Sequence, residues 1–154
     1  LEAEKGLREV VVDTYALLAI AYNEVGATAH RVLDSIRRRH VRGLVPSTVA
    51  MEYAIHWYRG RIPALKSIDE VRTYLTNYFT VVELDLETYF EAAEIKVRGD
   101  EILRKAIDAG LRERRISIVD ATVIALARKR RAPIVTGDRD LAFVARSMGL
   151  EVLW

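Results

Sequence analysis

Short runs of β-branched apolar residues alternate along the chain with longer segments in which apolar positions recur every three or four residues. The first run, Val10-Val11-Val12, ends at Asp13 and predicts a strand over 10–13. Residues 14–23 follow as a helix, Gly26 breaks it, and 27–39 resumes with Val32, Leu33 and Ile36 at helical spacing. A weaker strand over 41–45 leads through Pro46 to a helix over 48–58, which Ser47 or Thr48 can cap. Ser67-Ile68-Asp69-Glu70 starts another helix reaching residue 78, and the β-branched stretch 80–84 reads as a third strand.

Residues 86–98 are amphipathic and Gly99 is expected to close that helix, with a separate one over 101–109 ending near Gly110. After the polar segment 112–115, a helix with Asp120 at its start or one turn inside runs to Arg131, where Pro133 stops it. Residues 134–136 form the fourth strand, 139–147 the last helix with Gly149 beyond it, and 152–154 a short final strand. Strands separated by helices imply right-handed crossovers, so the class is α/β with a parallel sheet covered on both faces. Ligands of such sheets bind beyond the carboxyl ends of the strands, where strand order reverses.

At 154 residues the chain suits a single domain over 1–154, with 1–8 expected as a flexible N-terminal extension. With 51% hydrophobic and 30% charged residues it is not disordered, and no apolar run approaches the roughly 20 residues of a membrane span. The absence of cysteine excludes disulfides, thiolate metal sites and a cysteine nucleophile. No signal peptide is evident and the cytoplasm is the expected compartment, although a chain opening at Leu1 leaves its true start open. Net charge is +2, but 19 of the 24 cationic residues are Arg. That bias fits a nucleic-acid partner and equally follows from genome composition or a hot habitat.

Four acids change the picture. Asp13 and Asp138 emerge from the carboxyl ends of predicted strands, while Glu52 and Asp120 lie on helices beside apolar residues. Each alone has a structural reading: Asp13 and Asp138 as N-caps, Asp120 as a cap or first-turn acid, Glu52 as a solvated helix residue. Together they would place several carboxylates at one mouth, which is costly unless something neutralises them, and divalent cations are the usual answer. Phosphodiester cleavage needs an activated water and neutralised phosphate charge, both within reach of Mg²⁺ or Mn²⁺ held by carboxylates. Four acids balance two divalent ions.

The segments Val11-Val12-Asp13-Thr14, Pro46-Ser47-Thr48-Val49-Ala50-Met51-Glu52, Ser117-Ile118-Val119-Asp120-Ala121 and Ile134-Val135-Thr136-Gly137-Asp138-Arg139-Asp140-Leu141 resemble the PIN-domain ribonucleases. The resemblance spans nearly the whole chain and looks closest to the short toxins of VapBC-type toxin–antitoxin pairs. It implies a three-layer α/β/α domain with a five-stranded parallel sheet in the order 3-2-1-4-5. It also implies an endoribonuclease using one or two Mg²⁺ or Mn²⁺ ions, a homodimer, and a cognate antitoxin. Carried over by position, Asp13, Asp120 and Asp138 would hold metal directly or through water. Glu52 would do the same or orient the attacking water, and Thr136 would hydrogen-bond near the metal. Asp140 could assist as an outer acid, but the preferred reading is that it caps the last helix.

The runs Arg37-Arg38-Arg39-His40 and Arg128-Lys129-Arg130-Arg131 each end a helix, where cations complement the macrodipole; the functional reading is an RNA-backbone track flanking the mouth. His56, Trp57, Tyr58, Arg59 and Arg61 could stack on unpaired bases, but a protein interface is favoured. His30, His40 and His56 have no metal-like spacing. A haloacid-dehalogenase-type phosphatase would need a second Asp where Tyr15 stands, a receiver domain would need an acidic pair near the first strand and a late Lys, and no dinucleotide-binding or phosphate-loop glycine motif is present. The alternatives retained are a PIN nuclease of RNA processing that is not a toxin and a catalytically silent RNA-binding module, which the intact acids argue against.

Overall fold

The computed structural model describes residues 6–154, in which strands β1 (Glu9–Val12), β2 (Arg42–Pro46), β3 (Thr80–Val82), β4 (Ile134–Val135) and β5 (Val152–Leu153) form one sheet. Every pairing is parallel and the order is β3-β2-β1-β4-β5, the order that the family resemblance implies. Val10, Val11 and Val12 are wholly buried, as are Ile134 and Val135 beside them. A central parallel strand covered on both faces needs an unbroken apolar run rather than an alternating one. The helices around the sheet are α1 (Thr14–Tyr22), α2 (Ala27–Arg37), α3 (Ser47–Tyr58), α4 (Ile68–Tyr78), α5 (Leu86–Arg104), α6 (Ala109–Arg112), α7 (Ile118–Arg130) and α8 (Arg139–Ser147).

Helix α7 is the central piece of the packing. Its residues from Ala121 to Ala127 are all buried, it lies against β1, β2 and β4, and α5 packs over it. A helix apolar on every side belongs in the interior. The chain leaves β1 for β2 on one side and reaches β4 on the other, so β1 and β4 flank the point where strand order reverses.

Three local expectations are corrected. Gly99 does not close a helix: α5 runs through it for 19 residues. A Cβ at Gly99 would stand 2.6 Å from Ile116 Cδ1 and 3.1 Å from Val144 Cγ1, so the glycine admits neighbouring elements closely instead of breaking the helix. Only the four-residue α6 stands where the separate helix was expected to end. Neither Ser47 nor Thr48 caps α3; its N-cap is Pro46, without a side-chain bond, and the Thr48 hydroxyl instead meets that of Thr122 at 2.7 Å.

Of the extension expected over 1–8, residues 1–5 lie outside the described residues, while Leu7 packs on the core and the Arg8 carbonyl accepts from the Arg42 amide. Among the described residues no helix is long and apolar enough to cross a membrane.

Candidate functional site

Asp13 follows the last residue of β1 directly and Thr136 follows the last residue of β4, and Val12 and Val135 are partners in register. The first helices after these strands therefore start side by side. Asp13 is the N-cap of α1, its Oδ1 accepting from the Ala16 amide at 2.9 Å. Asp138 is the N-cap of α8, its Oδ1 accepting from the amides of Asp140 and Leu141 at 2.9 and 3.1 Å. Thr136 joins the two: its hydroxyl donates to Asp13 Oδ2 at 2.7 Å and accepts from the Asp138 amide at 3.0 Å. The residue is 1% exposed, so its hydroxyl has nowhere else to find partners.

Asp120 enters from the first turn of α7. Ser117 and Asp120 form a reciprocal capping box, Ser117 Oγ accepting from the Asp120 amide at 2.9 Å and Asp120 Oδ2 from the Ser117 amide at 3.2 Å. Glu52, on the second turn of α3, is half-buried. The structural reading of three acids as cap or first-turn residues is thus correct, yet capping leaves most of their capacity unused. Asp138 engages Oδ1 alone and Asp120 Oδ2 alone in hydrogen bonds, while each carboxylate oxygen has two acceptor positions.

Charge sets this group apart. Asp13 is 3% exposed, and burial, with smaller contributions from Asp120 and Asp138, pushes its carboxyl up to about 8 despite the Thr136 and Ala16 hydrogen bonds. Burial followed by the charges of Asp138 and Glu52 pushes Asp120 up to about 6. Among the described residues no lysine or arginine forms an ion pair with Asp13, Glu52, Asp120 or Asp138. The positive ends of α1, α7 and α8, and the charge of Arg114 near Asp138, oppose the repulsion in part. Among the described residues no three acidic or histidine side chains stand close enough together to ligate one ion as placed. The donor set nevertheless suits a hard divalent cation: only oxygens, more negative charge than the protein compensates, and a buried Thr14 hydroxyl next to Asp13 in the chain that has no hydrogen-bond partner.

Asp140 differs from the expectation. It does not cap α8, because Asp138 does; it is 7% exposed and accepts from Arg114 Nε at 2.8 Å. Nothing in the sequence paired Arg114 with it across 26 positions. The basic runs do not flank the mouth. Both end helices that lead into β2 and β4, placing them toward the opposite edge of the sheet, and most of their charges are engaged: Arg37 and Arg38 with Asp34, Arg128 with Glu91, Lys129 with Asp85, Arg130 with Glu9, while Arg39 donates to the Asn77 carbonyl. In the cluster after Glu52, the Trp57 indole donates to the Leu65 carbonyl at 2.8 Å and Arg61 Nη1 lies 2.8 Å from His56 Nδ1, while Tyr58 is exposed.

Sequence reasoning passed over Ser117, although a Ser three residues before an acid at a helix start is a legible capping signal. It also passed over Gly137. A Cβ there would stand 2.5 Å from Trp154 Cε2 and 2.6 Å from Tyr15 Cε1, so this glycine lets two aromatic rings close against the loop carrying Thr136 and Asp138.

An α/β domain with acids gathered at its strand-order reversal, Asp13 among them fully buried, has the layout in which parallel sheets bind ligands at that crevice. The PIN domain family model matches residues 10–147, and the chain belongs to this family, one of nucleases. Among curated proteins no sequence matches. Among solved structures it is similar to Mycobacterium tuberculosis VapC20, a sarcin-ricin loop cleaving toxin, at 24% identity over 86% of this chain and 92% of that one, with a TM-score of 0.59. It is also similar to PAE2754 of Pyrobaculum aerophilum, at 16% identity over 95% of this chain and 90% of that one, with a TM-score of 0.58. At these identities the likeness speaks to the fold.

Proposed function

We propose that this protein is a divalent-metal-dependent endoribonuclease, the toxin of a toxin–antitoxin pair. The observation that carries the reading is the group of buried Asp13 and half-buried Asp120 and Asp138, none in an ion pair, with Glu52 near Asp120, inside a PIN domain. Asp13, Asp120 and Asp138 would hold one or two Mg²⁺ or Mn²⁺ ions directly or through water, and Glu52 would do the same or orient the attacking water. A cation bound there would set positive charge against the phosphate and acidify a nearby water. Thr136 orients the Asp13 carboxylate and ties it to the backbone at Asp138, since its hydroxyl is bonded to both. The positive ends of α1, α7 and α8 point at the place where the phosphate's charge would gather.

The likeness to a toxin that cleaves the sarcin-ricin loop supports RNA as substrate and an antitoxin as partner. Met51, Ile55 and Tyr58 project from α3 at i, i+4 and i+7 and are exposed, a surface suited to a second copy or an antitoxin. The test is incubation of the purified chain with RNA. Cleavage is expected with Mg²⁺ or Mn²⁺ and is expected to stop in excess chelator; undiminished cleavage in chelator would sink the mechanism. Expression is expected to arrest growth, and co-expression of the adjacent small gene product to relieve it. Harmless expression beside intact RNA cleavage would point instead to RNA processing.

A further inference from the structure

Beside Asp138 lies an open cleft of about 320 Å³, bordered by Tyr15, Gly110, Arg114, Gly137, Asp138 and Arg139. We propose that it is a phosphate subsite for the RNA strand, next to the scissile bond, with Arg114 as the residue that binds the phosphate and Asp140 as the residue that positions Arg114. The proposal rests on the nuclease reading and extends it to how the strand is held.

The Arg114–Asp140 pair is asymmetric in a way that stability does not explain. The Asp140 side chain is 9% exposed and that of Arg114 is 62% exposed. Burying a carboxylate is costly, and an ion pair with one partner in solvent returns little. The arrangement instead anchors a guanidinium at its base and presents its head. Asp140 takes only Nε, leaving both Nη nitrogens of the planar fork for an anion. Arg139 lines the same cleft and is also exposed, its Nη2 donating to the half-exposed Asp108 at 2.6 Å and its other nitrogens bonded to no described residue. The cations of both basic runs lie toward the far edge of the sheet, so these two arginines supply the positive charge beside Asp138.

The cleft also has a face for a base. Tyr15 is 46% exposed, with its ring set edge-on to Trp154 at 5.4 Å. A phosphate between two guanidiniums beside an exposed aromatic ring is the chemistry of a single-stranded nucleotide.

Steady-state cleavage of a short single-stranded RNA with Mn²⁺, over a range of salt, tests the proposal. Arg114→Gln is expected to raise KM about tenfold with kcat little changed. The fall of log(kcat/KM) with log salt should become shallower by about 0.7, the share of one phosphate contact on a single strand. Arg114→Lys, which keeps the charge and loses the fork, is expected to restore the salt slope and part of the KM. An Arg114→Gln protein with unchanged KM and salt slope overturns the subsite, even where its melting temperature falls, and so does an Arg114→Lys protein that fails to restore the slope. If the unsubstituted chain cleaves no RNA, the nuclease reading itself fails and the subsite goes with it, a result distinct from one confined to Arg114.

Discussion

At its N-terminal end α7 presents Asp120 to acids that form no ion pair with a described cation; about 12–15 Å along the helix, at its C-terminal end, Arg128, Lys129 and Arg130 each meet a carboxylate. The helix dipole favours both arrangements equally, an acid at the start and cations at the end. What differs is burial and partnership. The basic end is exposed and neutralised, so its charges contribute modestly and cost little. The acidic end is sunk against β1 and β4, where burial pushes Asp13 up to about 8 and Asp120 up to about 6. A fold selected for stability alone would not leave repelling carboxylates there. The contrast separates charge kept for a ligand from charge kept for the fold.

The strongest way to break the contrast is to remove a charge from the acidic end. Asp13→Asn is expected to lower RNA cleavage by about a thousandfold or more, since it deletes an anionic ligand at the reaction centre. The amide oxygen can still accept from Ala16, the amide nitrogen in place of Oδ2 can donate to the Thr136 hydroxyl, and a costly buried charge disappears. Metal-free Asp13→Asn protein should therefore melt no lower than the unsubstituted chain at pH 8. A variant that is inactive because it is unfolded would show as a lost cooperative transition by circular dichroism.

Proton linkage gives the second test. Between the ordinary carboxylate value of 3.8 and about 8, folded Asp13 retains a proton that the unfolded chain has released. Asp120 does the same between 3.8 and about 6. The folded state binds more protons across those windows, so stability is greatest at their acid end and is lost as pH rises through them. In chelator the melting temperature is expected to fall from pH 5 to pH 8 at constant salt. Mn²⁺ binds the deprotonated acids, so its stabilising shift should grow over the same range. A melting temperature rising with pH in chelator would show that other groups outweigh the acidic end.

Thr136→Val sharpens the comparison by testing what orients the acids. Valine has a similar shape but cannot donate to Asp13 or accept from the Asp138 amide, which are both bonded to the Thr136 hydroxyl. Leaving these buried groups unpaired should cost about 1–3 kcal/mol, seen as a lower urea midpoint with unchanged m. Cleavage should fall about tenfold or more as the acids lose their common tie.

The sheet and two of its acids were legible in the sequence because they depend on local signals. Three valines ending at Asp13, and a β-branched stretch ending one glycine before Asp138, mark buried strands and the acids at their carboxyl ends. Asp120 and Glu52 needed the family resemblance, since a helix residue can face several ways. The illegible parts are those that tertiary proximity decides. Gly99 has the sequence look of a helix end, and only Ile116 and Val144 packed over it reveal a close-packing glycine. Asp140 looks like a cap until Arg114 arrives from another loop. The two basic runs have the look of helix ends, which they are; only their second reading, a track beside the mouth, fails, because spacing along a chain does not say which edge of the sheet a helix end occupies.

The smallest expected effect lies at the basic end, and its smallness is the point. Arg130 pairs with Glu9 at 3.3 Å, and Glu9 also has Arg42 at 3.6 Å. Arg130→Ala therefore leaves Glu9 with a cation and removes one partly exposed pair. The loss should be about 0.5 kcal/mol, lower still in high salt, because solvent and counter-ions already screen such pairs. RNA cleavage at fixed Mn²⁺ is expected to stay within about twofold, since no phosphate contact is removed. A loss of RNA affinity with a shallower salt slope in Arg130→Ala would place the strand across the far edge of the sheet, and the division of labour between the two ends of α7 would fail.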